Sequence, residues 1–524
     1  MSSQPRPCDR RTKTATSGRI DAPGAGARVG RAGAVALTAS LLATAHAAPS
    51  LQIEPTLSVS QTLTDNVALA ATGKTSDAIS RIDAGLALRS RSGMVQGRLD
   101  YTLSELFYAR QSDRNTHLNR LNAQFDAELV ERQGFVNVSA SVAQQAASAF
   151  AAQPGSDGVC GANATEVRNL RIAPRWQGQF AGAVSYVLSG NYNLSSTRDG
   201  GQGDARSSGL SLHLGNARSA ALGWTLDAIH QHSAYAGGRG TDSDRLLGGV
   251  NLQLRALDLQ LSAQGGYERS NLVTTDTQGS STWGAGAVWS PSPRTRVVGQ
   301  VEHRPFGDTH LLSAEYRTPL TVWKLTDSRQ LSTSGNQLGS GRAGTVFDLF
   351  FAQFASVEPD PIRRAELVNA FLQSYGIDPR AGLAPGFLSS AATVQDRLEL
   401  SVAARGVRSS AVLTASRGST RRADTLSAAS DDLSGSSRIR ADNLSLNLSH
   451  RLTPQASLNL SCGWLDSRGD QALQSNRQRS VLLTYSERLA RNASWGLTLR
   501  RTLYETSLVP YAESALIGTF ALRF

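Results

Sequence analysis

Three cysteines in 524 residues exclude a disulfide-stapled scaffold and a zinc site built from cysteine. Cys8 lies near the N-terminus, Cys160 in a Gly-rich stretch and Cys462 on the apolar face of an alternating segment, so the last two are expected as unpaired thiols. No run of about 18 apolar residues occurs, which excludes a transmembrane helix. It does not exclude a membrane protein, because a strand crosses a bilayer with half of its side chains polar. For the same reason the mean hydropathy of −0.25 does not mark the chain as water-soluble. Catalytic motifs are missing too: there is no G-x-S-x-G, no H-E-x-x-H and no paired-cysteine spacing. His230 and His232 stand at i, i+2, and His303 (beside Glu302) and His310 lie farther on. Two ligands in one place do not make a metal site. Asp65-Asn66 and Asp431-Asp432 read as loop residues rather than calcium ligands. The expectation is therefore a non-enzyme with no catalytic, cofactor-binding or metal-binding residues.

What is present starts with a leader. Residues 1–47 carry Arg6, Arg10, Arg11, Lys13, Arg19, Arg28 and Arg31, then a short apolar core from Ala32 to Ala45, then the small-x-small site Ala45-His46-Ala47. This is the layout of a secretory signal peptide. Seven of the 53 basic and two of the 42 acidic residues leave with it, so 46 then face 40 and the charge falls from +11 to +6. Much of the pI near 10 is thus a targeting feature. No basic patch interleaved with aromatics remains to suggest nucleic acid as a partner.

From Leu51 to the end the chain alternates. Residues 250–263 set Val250, Leu252 and Leu254 against Asn251 and Gln253, turn near Arg255-Ala256, and resume with Leu257, Leu259 and Leu261 against Asp258, Gln260 and Ser262. Residues 443–464 repeat the pattern around Thr453-Pro454-Gln455. Successive side chains of a strand point to opposite faces, so each segment has one apolar and one polar face. The periodic segments are longer than the usual five or six residues of a soluble sheet and cover the roughly 9–11 that a tilted strand needs to cross a bilayer. Tight turns near Ser92-Gly93, Arg132-Gln133-Gly134, Arg405-Gly406 and Arg491-Asn492 alternate with longer loops near 66–77, 150–164, 198–205, 422–435 and 468–475. That alternation is the habit of an outer-membrane barrel.

The pattern gives an all-β fold: a large antiparallel transmembrane β-barrel of about 22 strands, within a range of about 18–24, fifteen of them before residue 336 and seven after 390. An even total returns the C-terminus to the periplasm. The chain divides into a signal peptide (1–47), an N-terminal part of the barrel (48–335), a helical insert acting as plug or cap (336–390) and a C-terminal part of the barrel (391–524). Within the insert, Asp360-Pro361 is a helix start, and Ile362, Ala365, Val368, Phe371 and Leu372 follow at helical spacing. The last residues, Tyr511 to Phe524, place Leu516, Phe520, Leu522 and a terminal Phe524 on one face. Such an ending looks like the signal read by the barrel assembly machinery. The other expected partner is outer-membrane lipid, and the expected location is the outer membrane of a Gram-negative bacterium.

Three segments carry a family resemblance: Ile53-Glu54-Pro55 through Thr64-Asp65-Asn66-Val67; Phe347-Asp348-Leu349 through Glu358-Pro359-Asp360-Pro361-Ile362-Arg363-Arg364; and the strand-rich region from Arg397 onward. Through them the chain resembles the outer-membrane barrels associated with PEP-CTERM/exosortase systems. The resemblance implies an association with exopolysaccharide export, with polysaccharide and secretion-complex components as partners. The polar face, read as mostly Ser, Asn, Gln and Thr, suits a passive conduit. A general diffusion porin and a structural anchor without an open pore are the alternatives.

Overall fold

In the computed structural model the described residues are 51–524, apart from 92, 152–162, 199–202, 218–220, 334–349, 352–353, 355–363, 365–366, 369–386, 425, 427–429, 472–473 and 507–509. The leader, Cys8 and Cys160 lie outside them, and so does any pairing of Cys160 with Cys462.

Twenty-two strands follow in order: β1 (Leu51–Thr64), β2 (Asp77–Arg91), β3 (Val95–Tyr108), β4 (Thr116–Val130), β5 (Gly134–Ala146), β6 (Ala164–Phe180), β7 (Val184–Thr197), β8 (Ala205–Asn216), β9 (Leu222–Tyr235), β10 (Thr241–Leu254), β11 (Leu259–Ser270), β12 (Gln278–Ser292), β13 (Thr295–Arg304), β14 (Gly307–Arg317), β15 (Thr321–Ser332), β16 (Thr393–Arg405), β17 (Ser409–Arg422), β18 (Ile439–Arg451), β19 (Ala456–Arg468), β20 (Ser475–Arg488), β21 (Ala493–Thr506) and β22 (Tyr511–Arg523). Each pairs antiparallel with its neighbours in the chain, and β1 also pairs with β22, so the sheet closes on itself. The expected count and the split into fifteen and seven strands are met. So is the return of both termini to one end, where the Phe524 amide donates to the Pro55 carbonyl at 2.9 Å.

The two faces of the wall follow from side-chain parity. In β1, Leu57, Val59 and Leu63 are exposed, whereas Thr62 and Thr64 are buried. The same alternation sends Trp224, Trp283, Trp289, Trp323, Leu499 and Phe520 outward on their strands. A wall of exposed tryptophan and leucine would be an aggregation liability in water; in a bilayer it is the lipid face. Closure leaves no edge strand, the condition for a sheet to sit in hydrocarbon. The architecture is that of the outer membrane of a Gram-negative cell.

Among the described residues the barrel has no central apolar core. Three small clusters of buried apolar residues sit at the end bearing the long connections. One holds Val67, Ile79, Leu106, Tyr108 and Leu118; a second holds Ala149, Phe387, Leu433 and Ile439; a third holds Ala205, Tyr235, Leu272 and Ala392. At the opposite end the turns are tight, and among the described residues three of them use positive φ, at Arg132 (59°), at Ala181-Gly182 (48° and 66°) and at Asp258 (46°).

The helical insert is not established as an element. Within 336–390 only Phe350, Phe351, Phe354, Arg364, Leu367, Val368 and 387–390 are described. Phe350, Phe354 and Val368 are buried. The Arg405 guanidinium lies 4.5 Å from the centre of the Phe354 ring. Arg405 is the last residue of β16, at the short-turn end, and shares the inward face with Glu399, Ser401 and Ala403. Val322, Ala403 and Val412, adjacent across three strands on that inward face, are almost wholly buried.

Candidate lumenal site and its bridged mouth

The inward face is where a polar solute would be met. Along β4 to β8 the register aligns two neighbouring rows: Gln124, Ser139, Arg171, Asn193 and Ser207, and beside it Asn122, Ser141, Asn169 and Ser195. These side chains line a recess of about 460 Å³. They supply hydroxyls, carboxamides and one guanidinium, and no carboxylate. Asn193 donates to the Ser207 hydroxyl at 3.1 Å, and Asn169 to the Ser141 hydroxyl at 3.4 Å. Arg171 is exposed to the lumen, as are Arg120 and Arg175, and none of the three makes an ion pair with a described residue. Arg175 instead stands over the Phe135 ring, 5.0 Å from its centre. An unpaired guanidinium among neutral hydrogen-bonding groups favours an anionic or polyhydroxylated ligand.

Elsewhere the lumen is charged but self-compensated. Arg304 donates to Glu268 through Nε at 3.0 Å and through a terminal nitrogen at 2.7 Å. Arg245 reaches the same carboxylate and also Glu302. Arg397 and Glu399 pair at 2.8 Å, and Arg500 and Glu513 at 2.8 Å. The neutral polar face read from the 250–263 and 443–464 hairpins therefore describes those hairpins and not the whole lumen. Paired charges hold one another in place and leave little net field, so they fix wall geometry rather than attract solute.

The mouth at the long-connection end is bridged by bonds between elements far apart around the ring. From the β5–β6 connection, the Ala149 amide donates to Asp432 at 2.6 Å, and the carbonyls of Ala149, Ala151 and Phe150 accept from Asn476 on β20 and Tyr504 on β21. The Tyr235 hydroxyl on β9 donates to the Thr333 carbonyl beyond β15 at 2.7 Å. The amide of Gly203, in the β7–β8 connection, donates to Ser390 at 3.2 Å. Asp431 gathers four donors: the Ser390 amide, the Ser389 hydroxyl, the Leu433 amide and Arg422. It is 9% exposed, so these bonds replace most of its water. Asp432 beside it is half-buried; desolvation holds its carboxyl above the ordinary Asp range, with hydrogen bonds from Ala149 and Ser148 acting the other way.

The residues singled out in the sequence fall outside the recess. His230 and His232 face outward and hydrogen-bond to Asp244 and Asp242, each at 2.7 Å. His303 pairs with Asp308 at 2.6 Å, and His310 with Asp327 at 3.3 Å. Each is thus a rung of a cross-strand polar pair on the rim. Asp65 accepts from the Ser514 amide and Asn66 bonds both Ala70 and Ala512, which ties the first connection across the β1–β22 seam. Asp431-Asp432 hold the mouth. Sequence reasoning passes over Arg171, whose signal is its parity: in Leu170-Arg171-Ile172-Ala173-Pro174-Arg175-Trp176 the arginines sit on the face opposite the bulky apolar residues.

No protein-family model matches this sequence, and no curated protein does. Solved structures similar to it include a mutant form of the ferric enterobactin receptor PfeA of Pseudomonas aeruginosa (TM-score 0.42, 10% identity, covering 90% of this chain and 80% of that one). The siderophore receptor PirA of Pseudomonas aeruginosa gives a TM-score of 0.36 at 11% identity, covering 91% of this chain and 81% of that one. The FrpB iron transporter of Neisseria meningitidis gives 0.46 at 9% identity, covering 90% and 81%. The expected exopolysaccharide conduit, with its porin and anchor alternatives, is corrected here. The mouth of this barrel is bridged by bonds between distant elements, where an unselective conduit would be open.

Proposed function

We propose that this protein is a ligand-selective outer-membrane transporter, not an enzyme, that takes a small hydrophilic anion or polyhydroxylated anion into its lumen. The observation that carries the reading is the Arg171 recess: one unpaired, lumen-exposed guanidinium within two rows of neutral hydrogen-bond donors and acceptors, with no carboxylate among them. Such a lining rejects cations by charge and grades anions by hydrogen-bond fit. The bridged mouth supports selectivity, since a solute must displace or exploit those bonds to enter. In this reading Phe350, Phe354 and Val368 pack inside the barrel: Phe354 against Arg405 lies near the tight-turn end, and the buried Val322–Ala403–Val412 patch needs an apolar cover there.

Planar-bilayer recording of the refolded protein tests this. The intact barrel should be nearly silent, and a form lacking 336–390 should conduct with a reversal potential favouring anions in a KCl gradient. Arg171→Glu in that shortened form should move the reversal potential toward cations. Free conductance by the intact barrel, or cation preference in the shortened one, would overturn the proposal.

A further inference from the structure

The recess around Arg171 holds a polar group that charge selection alone leaves idle. Ser195 stands on inward parity on β7 and lines the recess, yet it is only 7% exposed, and its Oγ makes no hydrogen bond with the described residues. Buried hydroxyls are almost always bonded, so one left open beside a polar recess points to a partner that arrives with a ligand. Register sets its place. Asn169 faces Ser195 across the β6–β7 ladder and Arg171 faces Asn193. The hydroxyl therefore lies two positions, about 7 Å, along the strand from the guanidinium row.

The carboxamides between them are oriented. Asn193 spends a donor on the Ser207 hydroxyl, and Asn169 spends one on Ser141. No described residue donates to either carbonyl oxygen, so both present acceptors to the recess. The end of β15 completes the lining. Leu331 adds an apolar side chain, and Thr333 is held by Gln231 at 3.0 Å and, through its carbonyl, by the Tyr235 hydroxyl at 2.7 Å. A ligand seated here meets one cation, a row of acceptors, an open hydroxyl beyond them and one apolar contact.

We infer that the ligand is a sugar acid, with a single carboxylate held by Arg171 and hydroxyls that donate to Asn169 and Asn193 and reach Ser195. The inference rests on the anion reading above and narrows it. A simple inorganic anion is too short to span the two positions. A phosphate ester carries about −1.5 to −2 charges at neutral pH, more than one guanidinium offsets, whereas a carboxylate carries one. An aliphatic carboxylate satisfies Arg171 but leaves the buried hydroxyl and the acceptors unmet. The recess, about 460 Å³, falls within the roughly 300–1,000 Å³ of small-molecule sites.

Equilibrium dialysis of the full-length refolded barrel tests this, because slow entry past the bridged mouth does not alter an end point. The probes are glucuronate, glucose, butyrate and glucose 6-phosphate. Glucuronate should be retained, and each of the others should bind at least about tenfold more weakly. Ser195→Ala should lower glucuronate affinity roughly fivefold, the loss expected of one neutral hydrogen bond, and leave butyrate unchanged. It should not lower the melting temperature measured without ligand, since the hydroxyl bonds nothing there; a fall would mark the serine as structural and overturn its assignment. Butyrate or glucose 6-phosphate held as tightly as glucuronate would overturn the inference, as would Ser195→Ala binding glucuronate like the parent. So would failure to retain glucuronate at all. In that case anion preference in the form lacking 336–390 would show that only this inference falls, and cation preference that the anion reading falls with it.

Discussion

Single residues decide whether the mouth stays bridged. Asp431 accepts from four donors drawn from three segments, so Asp431→Ala takes a shared acceptor from Arg422, a hydroxyl and two backbone amides in a poorly hydrated place. Removing one partner of a buried, hydrogen-bonded charge pair typically costs about 3–5 kcal/mol. The expected result is faster proteolytic nicking of the 423–438 and 387–392 segments, with the barrel band on a gel unchanged. Gly203 is the second such position. Its φ is +86°, and a Cβ there would meet Leu388 side-chain atoms at 3.1 Å, so Gly203→Ala both strains the backbone and pushes on the mouth. Its conductance should exceed that of the parent barrel. Asp432 adds a pH dependence. Its pKa is raised in the folded protein, so the folded state binds the proton more tightly than the unfolded one. That contribution is fully present below the ordinary Asp value and is lost as pH rises through the raised one. Nicking of the 423–438 segment should therefore be slower under acid conditions than at neutrality, and the difference should shrink in Asp432→Asn.

At the scale of the element, the seam is the place to test. β1 and β22 carry the closure, and β22 ends where Pro55 begins: pairing runs from Thr56–Arg523 to Thr64–Ala515. Pro55 has no amide to offer, and it stands one place beyond the Thr56–Arg523 pair, where its carbonyl still accepts from the Phe524 amide. Deleting Tyr511–Phe524 would leave β1 and β21 with unpaired edges in hydrocarbon, each orphaned backbone group costing several kcal/mol. The expected outcome is a chain that never gives the heat-modifiable band. The strands are also where the sequence is most legible. Strand existence, parity and turn length are local properties with a period of two, so Leu444–Ser445–Leu446 or Leu458–Asn459–Leu460 declare themselves without knowledge of the partner strand. The recess is not legible in the same way. Gln124, Ser139, Arg171 and Asn193 come from four strands, and only register sets them side by side. The bridging of the mouth is further out of reach, since Ala149 meets Asn476 across 327 positions of chain. The functional expectation rested on resemblance rather than on side-chain chemistry, and it is there that the correction fell.

For the whole molecule, the closed ladder has a consequence in cell physiology. Twenty-two strands at about 4.8 Å spacing, tilted by roughly 40°, form a hoop on the order of 40 Å across. Its perimeter is fixed by hydrogen bonds and cannot shrink when the protein is idle. The outer membrane is a permeability barrier, and an uncovered hoop of that width would admit bulky antibiotics and detergents. The bacterium's tolerance of this protein thus depends on what covers the hoop, and the side-chain bonds at one rim are part of that cover. Cells expressing Gly203→Ala or Asp431→Ala should become sensitive to large hydrophilic antibiotics such as vancomycin, whereas cells expressing the parent should keep their resistance.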